Sequence, residues 1–326
     1  LGLASGCAPS VSLRVLRPAE VPVPPHVDTV AAVDRSMVGN AGEGILGAIE
    51  GVLTGEGLTV DLEGRAAAMD AVSDGLAASP RYDVVVLPLD PGRSESSLFD
   101  ELLDWDTAAS LCAKFGCQAI VALEGFDSDS HLDHDSYRVG EEGEDGKEKS
   151  RVVHTARRET HVLAAWRLYD VQRQKILDDQ RDHMEVETWS HEGDTRREAL
   201  DGLPSQYDTV TELAFDSGSW YARHIAPSFD WVRRSYYGAG DPLLKEARAK
   251  VREDDWGGAQ ALWEQLLGET DGKIRGKAEH CLAVAAELEG DLQGALQWAT
   301  KAAQDFDVAR TRAYRWELEQ RLLEQG

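Results

Sequence analysis

Two segments near the carboxyl end of this chain repeat at an offset of 36 residues, and this repeat constrains the fold more than any other feature. EDDWGGAQALWEQLL begins at residue 253 and EGDLQGALQWATKAA begins at residue 289. The alignment places Trp256 on Leu292, Gly258 on Gly294, Ala259 on Ala295 and Leu266 on Ala302. Small residues at fixed positions let antiparallel helices pack closely, so the sequence predicts a stack of helix hairpins here.

The stretch after Pro242 is rich in Ala, Leu and Glu and contains no further Pro. Helices are predicted near residues 243–253, 256–268, 273–289 and 292–304, with a capping helix at 308–325. The pattern resembles tetratricopeptide repeats, and the alternative is chance periodicity in an ordinary helical bundle. Two repeats seldom hold alone, so we expect them to dock on the preceding part of the chain.

Strand-like and helix-like patterns alternate before that stretch. Val11, Leu13 and Val15 alternate with their neighbours, and apolar runs at 27–36, 82–90 and 117–126 are typical of buried strands. Three segments have apolar residues at helical spacing: Ile45, Ile49, Val52 and Leu53; Met69, Val72 and Leu76; and Ala108, Leu111, Cys112 and Phe115. Gly116 is predicted to be the left-handed cap of the third helix. This order predicts an α/β or α+β domain, in which helices flank a mixed, partly parallel sheet.

The middle of the chain completes this domain. Residues 127–150 are acidic and contain Gly, so we expect a solvated loop. THVLAAWRLYD and KILDDQRDHMEVETW then predict a long antiparallel hairpin, followed by a helix at 206–225 and a strand at 229–237. The predicted domains are an α/β domain over 7–240 and a helical-repeat domain over 241–326.

The segment Leu3-Ala4-Ser5-Gly6-Cys7 resembles the lipobox of bacterial lipoproteins, in which small residues precede an acylated Cys. On this interpretation residues 1–6 are the remnant of a signal peptide, and Cys7 carries fatty chains that anchor the protein durably. Ala8 stands where an Asp would signal retention at an inner membrane, so the resemblance favours an outer membrane. The alternative is an ordinary thiol near a frayed terminus.

The charge balance excludes some classes of partner. The chain has 34 Lys and Arg against 59 Asp and Glu, a net charge of -25, which argues against nucleic acid and against adsorption to anionic lipid. Beyond the amino end, the sequence has no run of roughly 18 apolar residues that would make a spanning helix. Cys112 and Cys117 are close enough to pair in an oxidising compartment, but they fit equally well as two buried hydrophobic residues.

We find no catalytic constellation and predict no cofactor and no metal. The acidic run from Asp127 to Asp135 has carboxylates at alternate positions, but Leu132 and Arg138 stand where a calcium loop needs Gly and a bidentate acid. Asp34 and Arg35 follow an apolar strand, where α/β sheets commonly place ligand contacts. A salt bridge or helix cap at the strand end explains them more simply.

Several phrases together resemble a family of uncharacterised bacterial lipoproteins that is best populated in Bacteroidota and defined only as a domain of unknown function. They are the lipobox, VLRPAEV, VDRS, LTGE and LEGFDSD, followed by the hairpin, the Trp-containing helix and the repeat helices. The resemblance implies an α/β domain similar to the N-terminal domain of the periplasmic protein TolB, followed by helical repeats. It implies no activity and no catalytic residues.

We therefore expect a non-enzymatic, lipid-anchored protein of the cell envelope that acts as a scaffold or assembly factor for a protein partner. Partner-binding residues are predicted at Arg248, Arg252, Lys277 and His280, on the first helix of each repeat. The first alternative is an envelope enzyme or small-ligand-binding protein that uses Asp34 and Arg35 in its α/β domain. The second is a structural subunit of a larger outer-membrane or surface assembly.

Overall fold

The computed structural model describes residues 9–36, 55–87, 102–142 and 148–325. The strands are β1 (Ser10–Arg17), β2 (Thr29–Asp34), β3 (Asp83–Val86), β4 (Ala119–Glu142), β5 (Glu148–Asp170), β6 (Lys175–Gly193) and β7 (Ser228–Ser235). The α-helices are α1 (Gly55–Ala77), α2 (Trp105–Phe115), α3 (Arg196–Asp201), α4 (Gln206–Ile225), α5 (Pro242–Arg252), α6 (Trp256–Gln265), α7 (Gly272–Leu288), α8 (Leu292–Asp305) and α9 (Ala309–Gln325). The predicted helical period at Ile45, Ile49, Val52 and Leu53 lies outside the described residues.

The chain forms two compact units. One, which we call the sheet unit, is Ala19–Ser228. The other, the repeat unit, combines the described residues up to Pro18 with those from Phe229 onward. The first strand therefore belongs with the carboxyl-terminal helices, although the sequence analysis grouped it with the α/β domain. The domain ranges 7–240 and 241–326 stay predictions.

The sheet unit has the predicted mixed sheet, in the strand order β3-β2-β4-β5-β6. β2 pairs in parallel with both β3 and β4, whereas β4, β5 and β6 are antiparallel. Helices α1 and α4 cover one face, over a core that includes Val30, Val121 and Trp166. Helix α2 covers the other face, over Ala31, Ile120 and Tyr169. The predicted helix-flanked mixed sheet is confirmed.

The crossing of α1 and α4 depends on small side chains. A Cβ built on Gly218 of α4 would collide with the backbone carbonyl of Ala68 in α1, and a Cβ on Gly75 of α1 would lie 2.5 Å from Cβ of Ala222. The two helices bury most of the apolar residues that the helical spacing at 206–225 predicted, including Leu213 and Tyr221. The helices can therefore approach closely only because these positions lack larger side chains.

The acidic segment 127–150 is not the loop that we expected. Its described residues form the outer parts of β4 and β5, which pair in continuous antiparallel register from Gly125↔Ala165 to Glu142↔Glu148. In β4 Asp127, Asp129, Asp133 and Asp135 occupy alternate positions, so these four carboxylates share one face of the strand, while the serines between them share the opposite face. Neither face of this segment of β4 is apolar, so its composition alone does not reveal the strand.

A disulfide joins Cys112, in the last turn of α2, to Cys117, just before β4. Gly116 lies between them with φ 79°, and its backbone N–H donates to the carbonyl of Cys112, so it is the left-handed cap that the sequence predicted. Of the two possibilities left open for this pair, the structure has the bond. Cys281 is a buried free thiol, and burial raises its pKa to about 12.

The repeat unit starts with a ribbon of β1 and β7. The Tyr236 N–H donates to the Pro9 carbonyl near one end, and Arg17 pairs with Asp230 near the other, so the two strands are antiparallel. Val11 of β1 packs against the core between α7, α8 and α9, which includes Val284, Ala295 and Leu318. The ribbon and the helices thus share one hydrophobic core.

The 36-residue offset is visible in the backbone of two helix-connecting turns. Asp254 and Gly290 both have positive φ, 62° and 84°. The next residues, Asp255 and Asp291, donate their N–H groups to carbonyls five residues back, at 2.9 Å in each case, and cap α6 and α8. Their carboxylates accept from the N–H of Gly258 at 2.9 Å and of Gly294 at 2.8 Å. The 36-residue repeat in the sequence is therefore matched by a repeated turn geometry in the structure.

Candidate functional site

Asp34 ends β2 at the carboxyl edge of the parallel strands, where it is fully engaged. One of its oxygens accepts from Nε and Nη2 of Arg65 on α1, at 3.0 and 2.6 Å. The other accepts from the backbone N–H and the hydroxyl of Ser36, at 2.9 and 2.6 Å. Arg65 is buried, and two of its nitrogens donate to the same Asp34 oxygen in charge-assisted hydrogen bonds.

Asp61 lies one turn before Arg65 on α1 and accepts a short hydrogen bond from the Ser128 hydroxyl of β4. Burial raises the pKa of Asp61 to about 6, and the nearby charge of Asp127 raises it further, while Ser128 and Arg65 oppose this. Asp61 is therefore a carboxyl group that can gain or lose a proton near neutral pH.

A second ionic group lies on the α2 face of the sheet. Glu124 of β4 lies 3.7 Å from Nε of Arg35 and 3.5 Å from Nη1 of Arg167, and it accepts a short hydrogen bond from the Tyr169 hydroxyl. Arg167 also donates to Asp179 of β6 at 3.1 Å. Burial and then the charge of Glu124 raise the pKa of Tyr169, so its hydroxyl keeps its proton and donates. This network links β4, β5 and β6 with the residue that follows β2.

The sheet separates the two groups that the sequence placed side by side. Asp34 interacts with α1, whereas its neighbour Arg35 interacts with Glu124 on the α2 side. The strand-end pattern predicts Asp34 and Arg35 but gives no sign of Arg65 and Asp61, which the packing of α1 brings to this edge, or of Glu124, which the pairing of β2 with β4 places beside Arg35. The four-residue spacing of Asp61 and Arg65 on a helix is the signal that would have indicated one shared face.

The predicted partner-binding residues fall into two pairs in the repeat unit. Arg248 and Arg252 lie one turn apart on α5, where Arg252 is exposed and Arg248 is half-buried against Gly238. Lys277 lies on α7, where its ammonium donates to the Ala239 carbonyl at 3.2 Å and lies 5.7 Å from the Tyr237 ring. The segment from Tyr236 to Ala239 therefore lies beside both pairs.

The fourth predicted partner-binding residue, His280, is buried. It is only 2% exposed, and its Nε2 donates to the Ser235 carbonyl at 2.9 Å. Burial lowers its pKa to about 4, so it is neutral at physiological pH. It lies at the base of a cavity of about 140 Å³, whose other lining residues include Arg234, Arg310, Tyr314 and Glu317. Its surroundings are those of a core histidine at a cavity wall.

The remaining site predictions concern a lipid and metals. Cys7 and the rest of the lipobox lie outside the described residues. Within those residues, no three His, Cys, Asp or Glu side chains are grouped so that they could hold a metal ion. The same part of the chain has no helix that is long and apolar enough to cross a membrane.

The protein thus consists of two units, the sheet unit with its mixed, helix-flanked sheet and the repeat unit with its carboxyl-terminal helices. Residues 27–237 match the domain of unknown function DUF8603, which covers more than half of the chain, and the chain belongs to that family. Residues 245–320 match a second domain of unknown function, DUF6340. No curated protein matches the sequence. The expectation of an uncharacterised family is therefore confirmed.

Proposed function

We propose that this protein is a lipid-anchored, non-enzymatic scaffold of the cell envelope, attached through Cys7 and holding a protein partner with tetratricopeptide-like helices. The observation that carries the proposal is the packing of β1 into the repeat unit. Ser10 follows Cys7 by three residues, and Val11 already contacts the helical core. An anchor at Cys7 would therefore hold the repeats directly at a membrane surface. Because Ala8, and not Asp, follows Cys7, we propose that this membrane is the outer membrane.

The matching turns of the two hairpins support the repeat part of the proposal. Fully buried residues recur at the same offset, Ala259 with Ala295 and Leu266 with Ala302. Stacked hairpins of this kind present a continuous surface formed by the first helix of each repeat. On that surface α5 carries Arg248 and Arg252 and α7 carries Lys277, so we propose that it binds a partner segment rich in carboxylates.

The disulfide supports the proposed location in the cell envelope. Bonds such as Cys112–Cys117 persist in oxidising compartments, including the bacterial periplasm, and are rare in a reducing cytosol. This observation is independent of the lipobox, because it concerns a different part of the chain and a different chemistry.

The proposal is tested by photo-crosslinking in intact cells, with the reactive residue placed at Arg252 of α5. The control position is Arg197 of α3, which is 89% exposed by its side chain and lies in the sheet unit. We expect a discrete crosslink to an envelope protein from position 252, which the charge reversal Arg248→Glu weakens, and no such product from position 197. Equal labelling from both positions, or none from position 252, would contradict the scaffold function.

The ionizable group at the sheet edge favours a second candidate, a small-ligand-binding protein or enzyme of the envelope. Asp61, with its pKa near 6, lies beside the Asp34–Arg65 pair at the carboxyl ends of parallel strands, where α/β proteins bind ligands. Under this proposal Asp61 exchanges a proton with the ligand, and Arg65 orients it. A ligand whose affinity is lost in Asp61→Asn but kept in Asp70→Asn, a change on the exposed side of α1, would support it.

A further inference from the structure

The outward face of the β1–β7 ribbon has an unusual composition for this acidic chain. Alternation along the two strands places Ser10, Ser12, Arg14 and Leu16 of β1 and Phe229, Trp231 and Arg233 of β7 on one face. Two contacts show that these residues share that face: the Arg14 guanidinium lies 4.1 Å from the centre of the Phe229 ring, and Arg233 donates to the Ser10 hydroxyl at 2.7 Å. We call this set the ribbon face.

The ribbon face exposes large apolar side chains. Trp231 is 71% exposed, Phe229 is 40% exposed and Leu16 is 39% exposed. Alternate residues of β1, Leu13 and Val15, are buried, so the ribbon has one side in the protein and one side out. The stability of the ribbon itself does not need an exposed Trp, since its inner side already supplies the packing.

The charge of the ribbon face differs from that of the whole chain. The chain has a net charge of -25, yet the seven residues of this face include two arginines and no carboxylate. Trp and Phe side chains with arginines among them are suited to the boundary of a bilayer, where aromatic rings lie at the level of the headgroups. Guanidinium groups bind headgroup phosphates through paired hydrogen bonds.

The ribbon face lies close in sequence to the proposed lipid anchor, which indicates that a bilayer contacts it. Ser10 lies three positions after Cys7, a chain length that spans at most about 10 Å. If Cys7 is acylated, β1 must therefore begin within that distance of the lipid surface. We propose that the ribbon face rests on the bilayer, with Trp231 inserted among the headgroups and Arg14 and Arg233 on phosphates, and so sets the orientation of the repeat unit. This inference rests on the proposed anchor at Cys7.

The test supplies the anchor chemically, so that it does not depend on natural acylation. The full chain from Cys7 onward is coupled through that thiol to a maleimide lipid in phosphatidylcholine vesicles; Cys112 and Cys117 are bonded to each other and Cys281 is buried. Brominated phosphatidylcholine then quenches those Trp residues that reach the headgroups. The matched control for Trp231→Phe is Trp316→Phe on α9, because Trp316 is also well exposed, at 58%.

We expect brominated lipid to quench one component of the emission, contributed by Trp231, which is one of the nine Trp residues of the chain. This component should disappear in Trp231→Phe and persist unchanged in Trp316→Phe. Both variants should fold, because both side chains are exposed. Equal quenching of the wild type and Trp231→Phe, or no quenching at all, would overturn the proposal and leave the face to a protein partner.

The failure of this inference can be distinguished from failure of the anchor. An acylated native protein whose Trp231 stays unquenched would refute the ribbon face as a bilayer contact and leave the anchor intact. A native protein without acyl chains, whose tethered form nevertheless shows the Trp231-dependent quenching, would refute the anchor and leave the lipid affinity of the face established.

Discussion

The helix-connecting turns of the two repeats predict that substitutions at two equivalent positions change the stability of the protein in opposite directions. Asp254 and Gly290 occupy equivalent left-handed positions, with φ of 62° and 84°. A left-handed conformation costs a residue with a Cβ roughly 1–2 kcal/mol, which is partly offset because Gly loses about 0.5–1 kcal/mol more entropy on folding. Because an Asp side chain can hydrogen-bond locally and tolerates this conformation better than Ala does, we expect Asp254→Gly to stabilise the protein by up to about 0.5 kcal/mol and Gly290→Ala to destabilise it by about 0.5–1 kcal/mol.

The control is Gly257→Ala in α6. A Cβ at Gly257 or at Gly290 would meet no atom within 4 Å, so the two substitutions differ in backbone conformation and not in packing. Because Gly257 is helical, Ala should stabilise there by up to about 1 kcal/mol. Scanning calorimetry of the full chain should show shifts of about 2–4 °C per kcal/mol, upward for Asp254→Gly and Gly257→Ala and downward for Gly290→Ala. Stabilisation by Gly290→Ala, or destabilisation by Asp254→Gly, would refute the equivalence of the two turns.

Three further predictions follow from individual contacts. Asp255→Ala and Asp291→Ala each remove a helix cap, so denaturant unfolding should show similar losses of about 1 kcal/mol, and a loss at only one would contradict the repeat. Gly218→Ala should cost about 1–3 kcal/mol in the same assay because its Cβ would collide with the Ala68 carbonyl; a neutral result would contradict the α1–α4 crossing. Because folding raises the pKa of Asp61 from 3.8 to about 6, the contribution of Asp61 to stability should fall across that range as pH rises, by up to about 3 kcal/mol. Unfolding measured at several pH values should show that Asp61→Asn lacks this loss, and an identical pH profile for both proteins would contradict the burial of Asp61.

The local elements could be predicted well because their signals are local. The spacing of apolar residues at 206–225 matched α4 from its first to its last residue, and Gly116 adopted the left-handed cap that its position after Phe115 indicated. The five carboxyl-terminal helices also lie within a few residues of their predicted bounds. In each of these cases a period of 3.6 residues or a single cap residue carried the information.

The missed features depend on pairing between distant segments. Residues 127–142 have polar residues on both faces of a strand, so composition indicated a loop, yet β5 supplies a full antiparallel partner. β1 has an ordinary strand pattern that does not reveal whether its partner is β2 or, as observed, β7. Of the ionic groups at the sheet edge, Asp34 and Arg35 could be predicted because they stand at the end of an apolar strand. Their partners Arg65 and Glu124 could not, because they reach Asp34 and Arg35 only in the folded chain.

The anchor at Cys7 is the claim on which the scaffold function and the orientation of the ribbon face both depend. Mass spectrometry of the protein purified from its native membranes tests this claim most directly. The account predicts an amino terminus at Cys7 whose mass includes a thioether-linked diacylglyceryl group, and loss of membrane retention in Cys7→Ala. An unmodified Cys7 in protein recovered from a soluble fraction would contradict it.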